Sequence, residues 1–549
     1  MNSVSQGTKG SDGSLQPFGN PLYPNGGIEL ATVTNARPKF RVWTGVVIFL
    51  LAAIFFTWSS PWRVLECGPD EGMEFSKIQL LLQKPEMAKL AWNDQSWFYS
   101  KFFAAIFSFT GFQPGIARLT TLALVGWMLF VFPRLMPKSA GWPHLLCACL
   151  FFWCWPFIPN LSVSAMLETP AFALAIIAAA ITPREWSEWK LWRFASAGFL
   201  FAIAVQIKLT ALIILPALAG KIFLLWWREI RGQAVVVTET KRPQVEHWAL
   251  RLAFGGLVFG IVFMVLAAWS PTWNLSQLLG SHFAAGETKA AAEYRLEPGE
   301  LLKSPGLWLA AILSIIGFWR KRDVHEATFA LILLITVTVI HFNHRPWWYY
   351  YGIHFAVPLA ILGGWGVTEL LRAALKPSSS AAGPMQSVFN KEISMTLGMA
   401  IVSLWASFDL PHGFEHTAQI RNEEKTNDNN AIYELEKYKG RVKWVFTRRN
   451  ILAAQAGYVL PPELTILAKK RYWTGNINDE SILATVKHYQ CEILILYADQ
   501  ELKDTNWNQF LDSNYMKVLS EENESIFVAN RLNPVLPPQR ENLLKRMGL

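Results

Sequence analysis

The chain has 549 residues, 52% of them hydrophobic and only 17% charged, against about a quarter charged in soluble domains; this rules out disorder and argues against a string of soluble domains. Fifty Lys and Arg against 41 Asp and Glu leave a net charge of +9, but no basic run with interleaved aromatics occurs, so nucleic acid is not an expected partner. The 26 Trp suit the aromatic belts of a membrane interface. The expected class is a polytopic α-helical membrane protein.

Residues 1–40, rich in Gly, Ser, Asn and Pro, read as a disordered cytoplasmic tail. No signal peptide with a cleavage site precedes the first apolar run, which should therefore stay in the chain. A helix needs roughly 20 apolar residues to cross a bilayer. Such runs fall near 42–59, 115–133, 143–158, 167–182, 194–207, 209–227, 252–269, 305–319, 326–342, 354–371 and 393–409, about eleven spans within a membrane domain at 41–411. Short loops holding Arg134/Lys138, Arg184/Lys190/Arg193, Lys221/Arg228 and Arg320/Lys321/Arg322 all fall on one side, the cytoplasmic one by the positive-inside rule. The N-terminus is then inside and the C-terminus outside.

Between the first two spans, residues 60–114 are too long for a simple connection. There PDEGMEFSKIQLLLQ repeats Phe75, Ile78, Leu81 and Leu82 at helical spacing, as an amphipathic helix on the membrane surface would. KPSSSAAGPMQS, before the last span, is a flexible cytoplasmic linker. Residues 412–549 form an extracytoplasmic α/β domain, with VKWVF, ELTILA and EILILY as strands and ILAAQAGY and DESILATVKHY as helices. Cys147, Cys149 and Cys154 lack metal-ligand spacing; a bridge between Cys67 and Cys491 is left open.

Residues able to do chemistry are few. Asp70 and Glu71 open the amphipathic segment, either favouring a helix start or carrying catalysis. Glu168 precedes Pro170 at the outer end of a span, again a helix-start carboxylate or a functional one, costly to bury in a bilayer. Lys208, the only charge between Phe194 and Gly220, either snorkels to the rim or reaches an anionic head group; Gln206 and Thr210 make that rim polar. In HFNHRPWWYYYGIHF the aromatics anchor to the interface, whereas His341, His344, Arg345 and His354 point to a phosphate site; no carboxylate or Cys accompanies them as zinc ligands. The 270–304 loop, with His282, Glu287, Lys289, Glu293, Tyr294 and Arg295, is a gate over a cavity or a solvated connection. Without a Walker sequence or a nucleophilic Ser or Cys elbow, ATP hydrolysis is not expected.

PDEGMEFSKIQLLLQ followed by WNDQSWFYSKFFAAIFSFTGFQPGIARLTTLALVGW resembles the opening of GT-C glycosyltransferases of the protein O-mannosyltransferase and aminoarabinose transferase type. Asp70-Glu71, Asp94 and Gly111…Ala117-Arg118-Leu119 match that family's pattern in order and spacing. Ser96-Trp97 replace its two prolines. Glu168 matches a later helix-opening carboxylate, and Gly198 to Lys208 match its Gly…Thr-Lys-Gly helix pair, with Gln206-Ile207 and Leu209 in place of the flanking residues. The resemblance spans roughly residues 60–365.

It implies transfer of a sugar from a polyprenyl-phosphate carrier to a lipid, glycan or protein acceptor outside a bacterial inner membrane. Asp70 would be the general base and Glu71 would position it or the acceptor. Arg345, Lys208 and His344 would hold the phosphate, Glu168 would orient the reacting groups, and Asp94 would contact substrate. No cofactor is required by this reading, and a divalent metal is left open. Three rivals remain: a membrane transporter or lipid flippase coupling through Glu168 and Lys208, although no repeated halves are visible; a polymerase or ligase for surface polysaccharide with its key residues in later loops; and a non-catalytic assembly or sensor protein built around the C-terminal domain.

Overall fold

The computed structural model describes residues 64–185, 188–233, 248–272, 274, 276–321, 324–375, 391–423, 428–497, 504–520 and 524–532. The expected tail at 1–40, the span at 42–59 and the linker at 376–387 lie outside the described residues.

Five described helices are long and apolar enough to cross a membrane: Pro114–Arg134, Leu209–Arg228, Trp248–Ala268, Tyr349–Leu375 and Lys391–Ala418. Five shorter apolar helices accompany them: Trp142–Cys154, Glu168–Ile181, Leu191–Ile207, Pro305–Trp319 and Ala327–Asn343. Each coincides with a run read from the sequence. Two of them form the centre of the bundle. The Glu168 helix (Glu168–Ile181) is buried over almost its whole length, because its Ala-rich ALAIIAAA segment lets neighbours approach closely, as small residues do between membrane helices. The Gly352 helix (Gly352–Leu375) is similarly enclosed. A Cβ at Gly364 would lie 2.6 Å from the Ala148 backbone nitrogen, so any larger residue would separate this helix from Trp142–Cys154.

The Pro69 helix (Pro69–Gln83) begins with Pro at its first position, where the missing N–H costs nothing. Phe75 and Ile78 face the membrane bundle, as the apolar stripe implied. The opposite side does not meet water. Leu80 enters a second core with Trp97, Phe446 and Leu494, and Gln79 Nε2 donates to the Ala454 carbonyl at 2.9 Å. A Cβ at Gly72 would stand 2.8 Å from the Ile451 nitrogen. This helix is therefore the layer between the bundle and the C-terminal domain rather than a helix lying on a membrane surface.

That domain holds a four-stranded sheet: β1 (Val445–Thr447), β2 (Ile493–Tyr497), β3 (Tyr515–Ser520) and β4 (Glu524–Ala529), in the order β1-β2-β4-β3. β1 runs parallel to β2 with Val445 opposite Ile493, which requires a crossover; helices Asn450–Gln455 and Asp479–Tyr489 lie within it. β4 is antiparallel to both of its neighbours. Two strands expected from the sequence are present, but ELTILA is not one. Pro461 and Pro462 lead into a 3₁₀ turn at Pro462–Leu464, and proline supplies no ladder donor. The closing β3–β4 hairpin supplies the missing strands. No disulfide joins Cys67 and Cys491.

Candidate active site

The site is assembled where the segment leading into the Pro69 helix meets the bundle. Gly68 precedes that helix, and a Cβ there would come within 2.5 Å of Met166 Sδ and 2.9 Å of the Tyr349 hydroxyl. Glycine is needed for the approach. One residue beyond the proline stands Asp70, half-buried; among the described residues no hydrogen bond or ion pair reaches its carboxylate. Its charge acts on Lys208, Lys470 and the tyrosines Tyr349, Tyr350 and Tyr351.

Glu71 is different. Its carboxylate is fully buried and accepts from Arg118 Nε at 2.9 Å and Nη2 at 2.6 Å, from the Cys67 N–H at 2.8 Å and from the Ala165 N–H at 2.8 Å. Arg118, equally buried, also donates to the Val64 and Leu65 carbonyls. The bidentate pair fastens the 64–71 segment to the bundle. Glu71 has no acceptor capacity left for a substrate, so the geometry gives it a positioning task, with Arg118 as the partner that sequence reading noted only as part of a motif.

Glu168 sits at the start of its helix, fully buried. Its Oε2 lies 2.8 Å from Lys208 Nζ. Its Oε1 lies 2.6 Å from His354 Nε2 and accepts from Thr210 Oγ1 at 2.6 Å. His354 Nδ1 in turn meets His341 Nε2 at 2.9 Å. Lys208 occupies an extended residue (φ −154°, ψ 132°) between the Leu191–Ile207 helix and a 3₁₀ segment at Leu209–Ile214, and its ammonium lies 4.4 Å from the Tyr350 ring centroid. The broken helix lets the lysine turn inward, toward Glu168. Just before it, Gln206 Oε1 accepts from Ser96 Oγ at 2.7 Å, so two of the departures from the family pattern are bonded to one another.

Beside this cluster opens a cavity of about 600 Å³, whose polar wall includes Gln95, Lys208, Thr210, His282, His344 and Arg345. The rim reading of HFNHRPWWYYYGIHF thus places His344 and Arg345 with Lys208. No ion pair reaches Arg345 among the described residues. The 270–304 loop is the cavity's outer wall through His282, Phe283 and Glu287, and it is tied down where the Trp347 N–H donates to the Tyr294 carbonyl at 2.8 Å. Asp70, Glu71, Asp94 and Glu168 are not in the lining; Glu168 touches it through Lys208 and Thr210.

Asp94 is buried against Lys470 of the C-terminal domain and 3.3 Å from His282 Nε2. Burial pulls the Lys470 ammonium down to about 7, with the Asp70 charge working the other way and Lys77 adding to the drop. Burial, with the Lys208 charge, holds the His282 imidazole down at about 4, with the Glu168 charge working the other way. Nothing in the sequence linked residue 470 to this site; the docking of Lys469–Trp473 on the rim brings it there, with Trp473 and Trp348 stacked at 6.0 Å. Among the described residues no three His, Cys, Asp or Glu side chains converge as metal ligands; Glu168 and Asp94, beside the cavity, carry cationic partners, whereas Glu287 lines it.

This fold, a helical bundle joined to a C-terminal α/β domain, is shared with solved structures of GT-C glycosyltransferases. Among solved structures the chain is similar to ArnT from Cupriavidus metallidurans in the apo state (12% identity, TM-score 0.58, 90% of this chain and 100% of that one). It is likewise similar to the same enzyme bound to undecaprenyl phosphate (13% identity, TM-score 0.55, 88% and 98%). A third similar structure is the oligosaccharyltransferase AglB from Archaeoglobus fulgidus, in complex with an inhibitory peptide and a dolichol-phosphate (10% identity, TM-score 0.51, 91% and 75%). No family model and no curated protein matches the sequence.

Proposed function

We propose that the protein is an integral-membrane glycosyltransferase that moves a sugar from a polyprenyl-phosphate carrier to an acceptor on the extracytoplasmic face, with inversion. The observation that carries this reading is the cavity: Lys208, His344 and Arg345 line it together, a donor set for a phosphate, in a fold also seen with undecaprenyl phosphate bound. The acceptor hydroxyl gives its proton to the Asp70 carboxylate. Its oxygen bonds to the anomeric carbon while the carbon–oxygen bond to phosphate breaks, the electron pair leaving on the lipid phosphate. Such a leaving group needs no proton donor, so the second carboxylic acid of glycoside hydrolysis is unnecessary. Arg345 and Lys208, with His344, offset the developing charge. Glu168 orients Lys208, Glu71 fixes the segment bearing Asp70, and Asp94 holds Lys470 beside it. In this reading about eleven spans place the C-terminal domain outside a bacterial inner membrane. Mass spectrometry of envelope lipids and glycans with and without the gene tests it: loss of a hexose- or pentose-sized increment supports transfer, and an unchanged profile refutes it.

One observation favours a second reading. The extended break at Lys208, paired to a buried Glu168, is the kind of discontinuous helix on which transporters build ion sites. A transporter or flippase using that pair would tolerate Asp70→Asn and lose activity with Glu168→Gln.

A further inference from the structure

The Glu168 helix has two chemically distinct ends. Its first residue borders the cavity just described. Beyond its last turn, Arg134, Lys138, Arg184, Lys221 and Arg228 line a separate hollow of about 80 Å³, and among the described residues no Asp or Glu is in its wall. Lys221 and Arg228 lie two turns apart on the Leu215–Gln233 helix, hence on one face. Arg134 and Lys138 follow Pro114–Val131, and Arg184 follows Ile181.

The way these cations are held matters. Lys221 Nζ donates to the Ala179 carbonyl at 2.8 Å, the Thr182 carbonyl at 3.2 Å and the Thr182 hydroxyl at 2.9 Å. Arg134 Nε donates to the Ala180 carbonyl at 2.6 Å. Arg184 donates to the Pro133 and Met136 carbonyls at 2.9 and 2.7 Å. Neutral acceptors fix a side chain without cancelling its charge. The carboxylates nearby are Glu188, 2.8 Å from Arg134 and 3.2 Å from Arg193, and Glu185, 2.7 Å from Lys138. Among the described residues these two carboxylates accompany the five cations of the hollow.

Capping of helix carbonyls explains Lys221 and half of Arg134. It does not explain Arg228, which is exposed and without an acidic partner among the described residues, or the convergence of all five on one hollow. The rest of the wall is apolar, including Leu135, Leu224 and Phe329, which suits an amphiphile better than a free ion. We propose that this hollow is a phosphate-binding site distinct from the catalytic one, taking the phosphodiester of an anionic phospholipid. Basic pockets between membrane helices are suited to such head groups. An occupant would tie together helices whose far ends carry Glu168 and Lys208.

The test uses the purified full chain in neutral detergent and needs no turnover, so it stands apart from the transfer reaction. Native mass spectrometry compares retention of phosphatidylglycerol with phosphatidylcholine, and thermal unfolding is followed with and without inorganic phosphate. The variant is Lys138→Gln with Arg228→Gln. Wild type should retain phosphatidylglycerol selectively, and the variant should bind it roughly thirtyfold more weakly, about fivefold per basic residue. Stabilisation of wild type, but not the variant, by inorganic phosphate without lipid selectivity would keep the site and make free phosphate its source. Equal retention of both lipids, or a variant indistinguishable from wild type in both measurements, would overturn the proposal.

Discussion

Lys208 Nζ stands 2.8 Å from Glu168 Oε2, and both side chains are buried inside the bundle. Neither charge is tolerable there alone, because removing one partner of a buried pair strands the other and costs about 3–5 kcal/mol. Lys208→Met should therefore lower the unfolding temperature sharply, whereas Glu168→Gln with Lys208→Met should recover most of that stability. Donor binding should stay weak in both variants. Thermal unfolding with donor titration checks this; a double variant that regains donor affinity would remove Lys208 from the phosphate site.

The Glu71–Arg118 pair predicts a different phenotype from its neighbour Asp70. Arg118→Ala removes four donor contacts from a buried carboxylate and two carbonyls, and should destabilise the fold by about 3–5 kcal/mol. Arg118→Lys should not rescue it, since an ammonium cannot reproduce the bidentate fork. Expression level and unfolding temperature are the readouts, and an unimpaired Arg118→Lys protein would argue against the fastening role.

Arg345 lines the cavity, and no ion pair reaches it among the described residues. Arg345→Ala should weaken binding of the lipid-phosphate donor by about 10- to 100-fold, the worth of a charge-assisted hydrogen bond to phosphate, and leave acceptor affinity nearly unchanged. Separate donor and acceptor titrations decide the matter; equal losses would place Arg345 elsewhere in the chemistry.

His282 gives a pH prediction. Its folded value is held at about 4 by burial and by the Lys208 charge, below its ordinary 6.5, so the unfolded chain takes up the proton first. The associated stability is complete above about pH 6.5 and is lost as pH falls toward 4. The unfolding temperature should drop across that window, and His282→Asn should flatten the slope. An identical slope in the variant would show that other groups carry the acid sensitivity.

Much of the membrane part was legible because bilayer thickness dictates runs of apolar residues, and those runs are local. The charges inside them, Glu168 and Lys208, stood out for the same reason. Their pairing was not legible: it depends on a helix break at residue 208 that AVQIKLTALIILP does not announce. Glu71 looked like a second catalytic acid because an adjacent carboxylate pair has no visible asymmetry in sequence; the helix rotates one toward Arg118 and leaves the other, among the described residues, without a partner. Lys470 could not have been found, since its place beside Asp94 follows from tertiary docking of the C-terminal domain. ELTILA read as a strand on its alternation, and the two prolines before it were the signal that should have counted against it.

The central claim is that the Asp70 carboxylate takes the acceptor proton. Transfer by Asp70→Asn, assayed in purified protein at saturating donor, measures it most directly. The expected result is donor affinity and unfolding temperature close to wild type with transfer reduced about 10²- to 10⁴-fold, the usual span for loss of a general base. Transfer at near wild-type rate would contradict the account.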